Sequence, residues 1–172
     1  LTVTIRPALE MELGDSNLKS FIQSGFDHMH ITPNADVMKD LNKFGFIEKG
    51  FPYYGWLISI HTAVLRVATN FGINLIFYGE DGEVEYGGST ETKNVSTYDS
   101  IYQRRVYLED GYESVLSNID TDESKLYFFM FPEEDKLKKI DLTHWSYYES
   151  WDSYRNYVVA KEKCGLTEKE FT

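Results

Sequence analysis

A chain of 172 residues, 42% hydrophobic and 26% charged, is long enough for one packed core and too short for two comfortable domains. Its formal net charge of −11 argues against a nucleic-acid-binding face, which needs clustered Lys and Arg, and no apolar run approaches the roughly 20 residues of a membrane-spanning helix. A single cysteine, Cys164, excludes an internal disulfide, and with no secretory signal in view the expected compartment is the reducing cytoplasm.

Residues 1–5, LTVTI, alternate Thr with Leu, Val and Ile and predict a strand that Pro7 ends. Gly14, Asp15 and Ser16 supply a helix cap before Leu18, Phe21 and Ile22, which recur at helical spacing up to Gly25. Residues 26–32, FDHMHIT, alternate again and predict a second strand, with His28 and His30 on one face. Such a pair can ligate a metal, although no third ligand stands near in sequence. A helix is expected from Ala35, with Val37, Leu41 and Phe44 as its stripe. After the loop GFPYYG the strongest helix runs over 56–71, its face made of Leu57, Ile60, Val64, Leu65, Ala68 and Phe71, until Gly72 stops it. His61 and Arg66 fall in that helix and read as surface or capping residues.

The stretch 74–88, NLIFYGEDGEVEYGG, is the focus of the chain. Leu75 to Tyr78 read as a buried strand ending at Gly79, and a loop bearing Glu80, Asp81, Glu83 and Glu85 follows. Strand–helix–strand–helix–helix–strand with short connections is the rhythm of a parallel sheet with crossover helices, and in such sheets ligands gather beyond the carboxyl ends of the strands. Four crowded carboxylates form either a solvated hairpin or a site that a cation neutralises.

Beyond Gly88 the pattern loosens. Residues 89–100 are polar and suggest a flap, 102–108 set Arg104 and Arg105 among Tyr102 and Tyr107, and 112–116 suit one helical turn. An acidic linker over 120–124 precedes LYFFMF, residues 126–131, which must be buried in the domain or against a partner. A short charged helix, EEDKLKKI, leads to Leu142, Thr143, His144 and Trp145, and a last helix carries Trp151, Tyr154, Val158 and Lys161 to Gly165.

No Ser–His–Asp signature, CxxC, HExxH, Walker-type loop or GxGxxG occurs. Glu80, Glu83 and Glu85 suit Mg²⁺, which takes a few carboxylates plus substrate phosphate oxygens. Arg104, Arg105 and Arg155 suit a phosphate or carboxylate, and Tyr147, Tyr148, Trp151 and Tyr154 can stack on a sugar or base or simply pack on one another.

Taken in order, three segments resemble the N-acetyl sugar amidotransferases: residues 1–34, FYGEDGEVEYGG, and WSYYESWDSYRNYVVAKEKCGL. The first is similar to the portion after that family's ATP-binding PP-loop, the second to its strand and acidic loop, the third to its aromatic C-terminal motif. The resemblance implies an α/β, Rossmann-like parallel sheet of the PP-loop (adenine nucleotide alpha hydrolase) type, with a nucleotide-binding-like core over 1–88 and an aromatic-rich region over 89–172. It also implies a transferase that turns an acetamido into an acetamidino group on an N-acetyl sugar, free or nucleotide-linked, in lipopolysaccharide O-antigen or related surface-glycan biosynthesis. ATP with Mg²⁺ would adenylate the amide oxygen and release pyrophosphate. Ammonia from a glutaminase partner would then displace AMP.

The family's SGGxDS phosphate loop and first strand are absent, so the chain reads as an excerpt of a longer protein, inactive alone and open to self-association through the exposed sheet edge. Carried onto this sequence, Glu80, Glu83 and Glu85 become the catalytic candidates, with Glu80 and Glu85 toward Mg²⁺. Thr4, Gly79 and Tyr86 become nucleotide-binding, and Arg104, Arg105, Trp151, Asp152, Tyr154, Arg155 and Asn156 substrate-binding. Two alternatives stay open: a PP-loop sulfurtransferase or tRNA-modifying enzyme, and a non-catalytic interaction module that docks through LYFFMF.

Overall fold

A computed structural model describes residues 1–79, 90–92, 94–109 and 111–169. In chain order it holds β1 (Thr2–Ile5), α1 (Glu12–Gln23), β2 (His28–Ile31), α2 (Ala35–Phe44), α3 (Tyr54–Phe71), β3 (Leu75–Tyr78), α4 (Ser100–Tyr102), α5 (Tyr112–Ser117), α6 (Glu134–Leu137), β4 (Asp141–His144) and α7 (Ser153–Cys164). A π-helical turn, Gly45–Lys49, follows α2, and a second, Gln103–Tyr107, extends α4. The architecture is mixed α/β.

Helix α3 forms because its apolar positions run almost without interruption, and it is buried because they lie on every side: twelve of its 18 residues are buried. Gly72 ends it in the left-handed conformation at φ 66°. On one flank, α2 crosses close at Gly55, whose N–H donates to Asn42 Oδ1 at 2.9 Å. On another lies the 3₁₀ helix Glu123–Phe129, held by Thr62 Oγ1, which donates to Phe128 O at 2.6 Å. Arg66 fixes the same segment, its Nε donating to Met130 O at 2.8 Å and its guanidinium lying 4.1 Å from the Tyr127 ring centre.

The strands pair in two parallel couples. Thr2 to Ile5 stand opposite His28 to Ile31, and Leu75 to Tyr78 opposite Asp141 to His144. The couples do not pair with each other. Between β1 and β3 runs a groove of about 620 Å³ walled by both strands and by Trp56, Ile60, Val64, Val67 and Ala68 of α3. One hydrophobic cluster nevertheless runs from Ile5 to Leu142.

Several expectations need correction. A single continuous sheet is replaced by two couples, and β4 was not foreseen, because Asp-Leu-Thr-His is short and mostly polar and becomes a strand only by pairing with β3. Helix α1 starts at Glu12, so Gly14, Asp15 and Ser16 lie inside it and no side chain caps its Met11. The supposed flap is pinned along its last residues: Tyr98 bridges Leu142 in antiparallel fashion, and Thr143 Oγ1 donates to Ser96 O at 2.6 Å. LYFFMF is packed as its composition requires, with Leu126, Phe129 and Phe131 buried, so it is not a free docking surface. Among the described residues no helix is long and apolar enough to cross a membrane.

An added Cβ at Gly55 would stand 2.8 Å from Leu41 Cβ and 3.0 Å from Met38 O. Gly55→Ala should therefore cost about 1–3 kcal/mol through overpacking. The check is the urea midpoint at unchanged m-value; an unmoved midpoint would mean that α2 and α3 do not approach as described.

Candidate functional site

The parallel register puts Tyr78 beside His144 at the carboxyl ends of β3 and β4. Buried polar side chains from α3 and α4 meet there. His61 is only 1% exposed, and its Nδ1 lies 3.0 Å from Gln103 Nε2, which also donates to Tyr78 Oη at 3.0 Å. The ring of Tyr107 stacks on His61 with centres 5.4 Å apart. Tyr98 Oη reaches His144 Nε2 at 2.6 Å, and the two rings stack 5.3 Å apart.

Burial fixes the protonation of this cluster. Desolvation, with a smaller push from His144, brings the His61 pKa down to about 3, so the ring is neutral at physiological pH. Burial pushes the Tyr98 phenol far above its ordinary value, so it keeps its proton and can donate it to His144 Nε2. Sequence reading placed His61 on the surface or at a cap. That is wrong, because α3 has no solvent side at that turn. A histidine between Ile60 and Thr62 in a continuously apolar helix was the available signal.

Next to the cluster, a pocket of about 510 Å³ lies between α1, the end of β3 and α7. Its wall includes Gly79, Trp145, Trp151, Arg155 and Asn156, with Glu149 as the second charged group. Asp152 supplies the N-cap of α7, its Oδ1 accepting the Arg155 N–H at 2.9 Å. The Arg155 guanidinium pairs with Glu149 and reaches Ser150 O at 3.4 Å, so its plane is preset. Asn17 closes the back by bonding Thr167 at both N and O. The result is an aromatic, mostly apolar concavity with a few oriented polar groups, the usual make-up of a small-molecule site.

Four of the sequence-derived candidates are thus brought together: Gly79, Trp151, Arg155 and Asn156. Asp152 serves them as a cap, whereas Tyr154 is 75% exposed and lies outside the pocket wall. Thr4 is on β1 in the groove wall, with Gly79 at the groove's other side. Arg104 and Arg105 do not line the pocket: Arg105 pairs with Glu91, and Arg104 lies over Phe131 at 4.5 Å with Glu113 at 4.0 Å. Glu80, Glu83, Glu85 and Tyr86 lie outside the described residues. Among the described residues no group of three or more His, Cys, Asp or Glu could hold a metal ion, and His28 instead meets Thr2 Oγ1 at 2.9 Å.

No protein-family model matches the chain, and no curated protein matches it.

The His61 shift has a defined consequence for stability. Its folded pKa is depressed below the ordinary 6.5, so between pH 6.5 and about 3 the unfolded chain takes up a proton that the folded one refuses. His61 therefore contributes stability above pH 6.5 that is lost as pH falls, with a slope approaching about 1.4 kcal/mol per pH unit. Urea unfolding from pH 7 to 4.5 should show a shallower fall for His61→Asn than for the wild type; equal slopes would place His61 in water.

Proposed function

We propose that the chain forms the sugar-binding side of an ATP-dependent amidotransferase that converts an acetamido into an acetamidino group on an N-acetyl sugar of a surface glycan such as an O-antigen. The observation that carries this reading is the pocket itself. Four residues assigned to the nucleotide and the sugar from sequence, Gly79, Trp151, Arg155 and Asn156, line one concavity at the carboxyl end of a parallel strand, where open α/β sheets hold ligands.

The pocket chemistry suits a hexosamine. Trp145 and Trp151 offer flat apolar faces for the C–H face of a sugar ring. Asn156 offers both a donor and an acceptor to ring hydroxyls or to the acetamido group. Arg155, held in plane by Glu149, can turn one edge to a sugar-linked phosphate or a uronate carboxylate. The carboxylates of Glu80, Glu83 and Glu85 follow Gly79 directly in sequence, so Mg²⁺ and ammonia handling fall to them. In this scheme the mixed α/β chain is of the PP-loop type, with ATP as co-substrate and a glutaminase as ammonia source. A PP-loop sulfurtransferase acting on tRNA fits less well, since the pocket carries a single cation and the chain a net charge of −11.

Isothermal titration with UDP-N-acetylglucosamine and with free N-acetylglucosamine tests the reading. Saturable binding of at least one is expected, weakened tenfold or more by Trp151→Ala and by Arg155→Ala, about 1.4 kcal/mol each. Tyr154→Ala, outside the pocket wall, should change affinity less than twofold. Binding of neither probe, or equal effects of all three substitutions, would overturn it.

A further inference from the structure

A second pocket, of about 450 Å³, is walled by both π-helical turns, and it shares no lining residue with the sugar pocket. The first turn contributes Glu48 and Lys49, the second Val106 and Tyr107. Such turns are rare and gather at functional sites. Phe51, Leu57 and Leu108 add an apolar wall. Glu109, also in the wall, takes the left-handed conformation at φ 55°, and its Oε2 meets Lys49 Nζ at 2.8 Å. Lys49 Nζ lies 5.1 Å from the Tyr54 ring centre as well. Tyr54 is the informative group. It lines the pocket and is only 3% exposed, yet among the described residues its hydroxyl has no hydrogen-bond partner. Burial, and behind it the Glu109 and Glu113 carboxylates, push its pKa up to about 12, so the phenol keeps its proton and its oxygen feels the Glu109 charge. A buried tyrosine hydroxyl normally finds a partner, and one left single in a cavity wall marks a place for a ligand atom.

We infer that this pocket binds a small organic ammonium ion, a protonated primary amine on a compact apolar body. Charge selects the sign: two carboxylates, Glu48 and Glu109, stand against the single ammonium of Lys49, so the wall is negative in excess and repels an anion. A primary ammonium group brings three donors and no acceptor, and the wall offers both carboxylates and the single Tyr54 oxygen to receive them. The rings of Tyr54 and Phe51 suit a cation at their faces. Lys49 already displays this chemistry, since its own ammonium rests on Glu109 and on the Tyr54 ring. What that tethered side chain does not supply is cover for Phe51, Leu57 and Leu108, and the body of the ligand supplies it. A volume of about 450 Å³ falls within the range of small-molecule sites, roughly 300–1,000 Å³. The inference is independent of the sugar reading and survives its failure.

Isothermal titration of the protein with 2-phenylethylammonium chloride tests it, beside 2-phenylethanol and 3-phenylpropanoate, which keep the body and replace the cation by a neutral or a negative group. Saturable one-to-one binding of the amine is expected, with the alcohol at least tenfold weaker and the propanoate weaker still. Tyr54→Phe removes an oxygen that no described residue bonds, so the urea midpoint should hold while amine affinity falls at least threefold. Glu109→Gln should lower that affinity tenfold or more. Lys49→Met takes away the competing ammonium and should raise it at least threefold. Trp151→Ala, in the sugar pocket, should leave it unchanged. Should Tyr54→Phe shift the urea midpoint, Glu48→Gln carries the test in its place and must give the same threefold loss. An amine that does not saturate overturns the inference, and so does an alcohol that binds as tightly. Loss of amine binding in Trp151→Ala but not in Tyr54→Phe and Glu109→Gln overturns it too, since the sugar pocket would then be the amine's site.

Discussion

Helix α3 has almost no side of its own left for water, and what covers it decides where everything else goes. A helix that is apolar around its whole circumference must be enclosed, and this one is enclosed by unlike elements: α2 at Gly55, the 3₁₀ turn of 123–129 at Thr62 and Arg66, and the strands on the remaining side. Its fully buried polar side chains Ser59, Thr62 and His61 each reach a partner. Ser59 Oγ donates back to Trp56 O at 2.9 Å, Thr62 reaches Phe128 O, and His61 meets Gln103. A buried polar group without a partner costs about 1–3 kcal/mol, so these bonds fix which segment covers which turn, where apolar packing alone would tolerate a slip.

The same enclosure determines what the cluster at the strand ends can do. A histidine that stays neutral throughout the physiological range is a poor proton store, and a phenol held protonated is a poor base. His61 and Tyr98 therefore serve as hydrogen-bonding and packing groups, joined to Gln103 and His144. These bonds fix Tyr78 and His144, and so hold the carboxyl ends of β3 and β4 level with each other.

What could be read from sequence follows from how local each signal is. Helix α3 was legible because an apolar run at helical spacing closed by Gly72 needs no partner to be recognised. LYFFMF was legible as buried for the same reason. β4 was not, because four residues of which three are polar become a strand only beside β3, and the pairing spans residues 75–78 and 141–144. The role of His61 was hidden too: a histidine's environment is a tertiary property, and the helical wheel placed it correctly only once all sides of the wheel were known to be covered. For the pocket, Trp151, Arg155 and Asn156 share one short segment, the aromatic C-terminal motif on which the resemblance rested. Arg104 and Arg105 were grouped with them by residue type, and their actual neighbours, Phe131, Glu113 and Glu91, come from three different segments.

Groove and pocket are not independent features. Phe21 and Gly79 line both, so the end of β3 is a shared wall. Among the described residues β3 is paired along one edge only, by β4, and its residues Leu75 and Phe77 stand partly in water. The aromatic contacts of Phe77 with Trp145 and Tyr148, at 5.7 Å each, then carry much of the burden of placing the pocket's entrance.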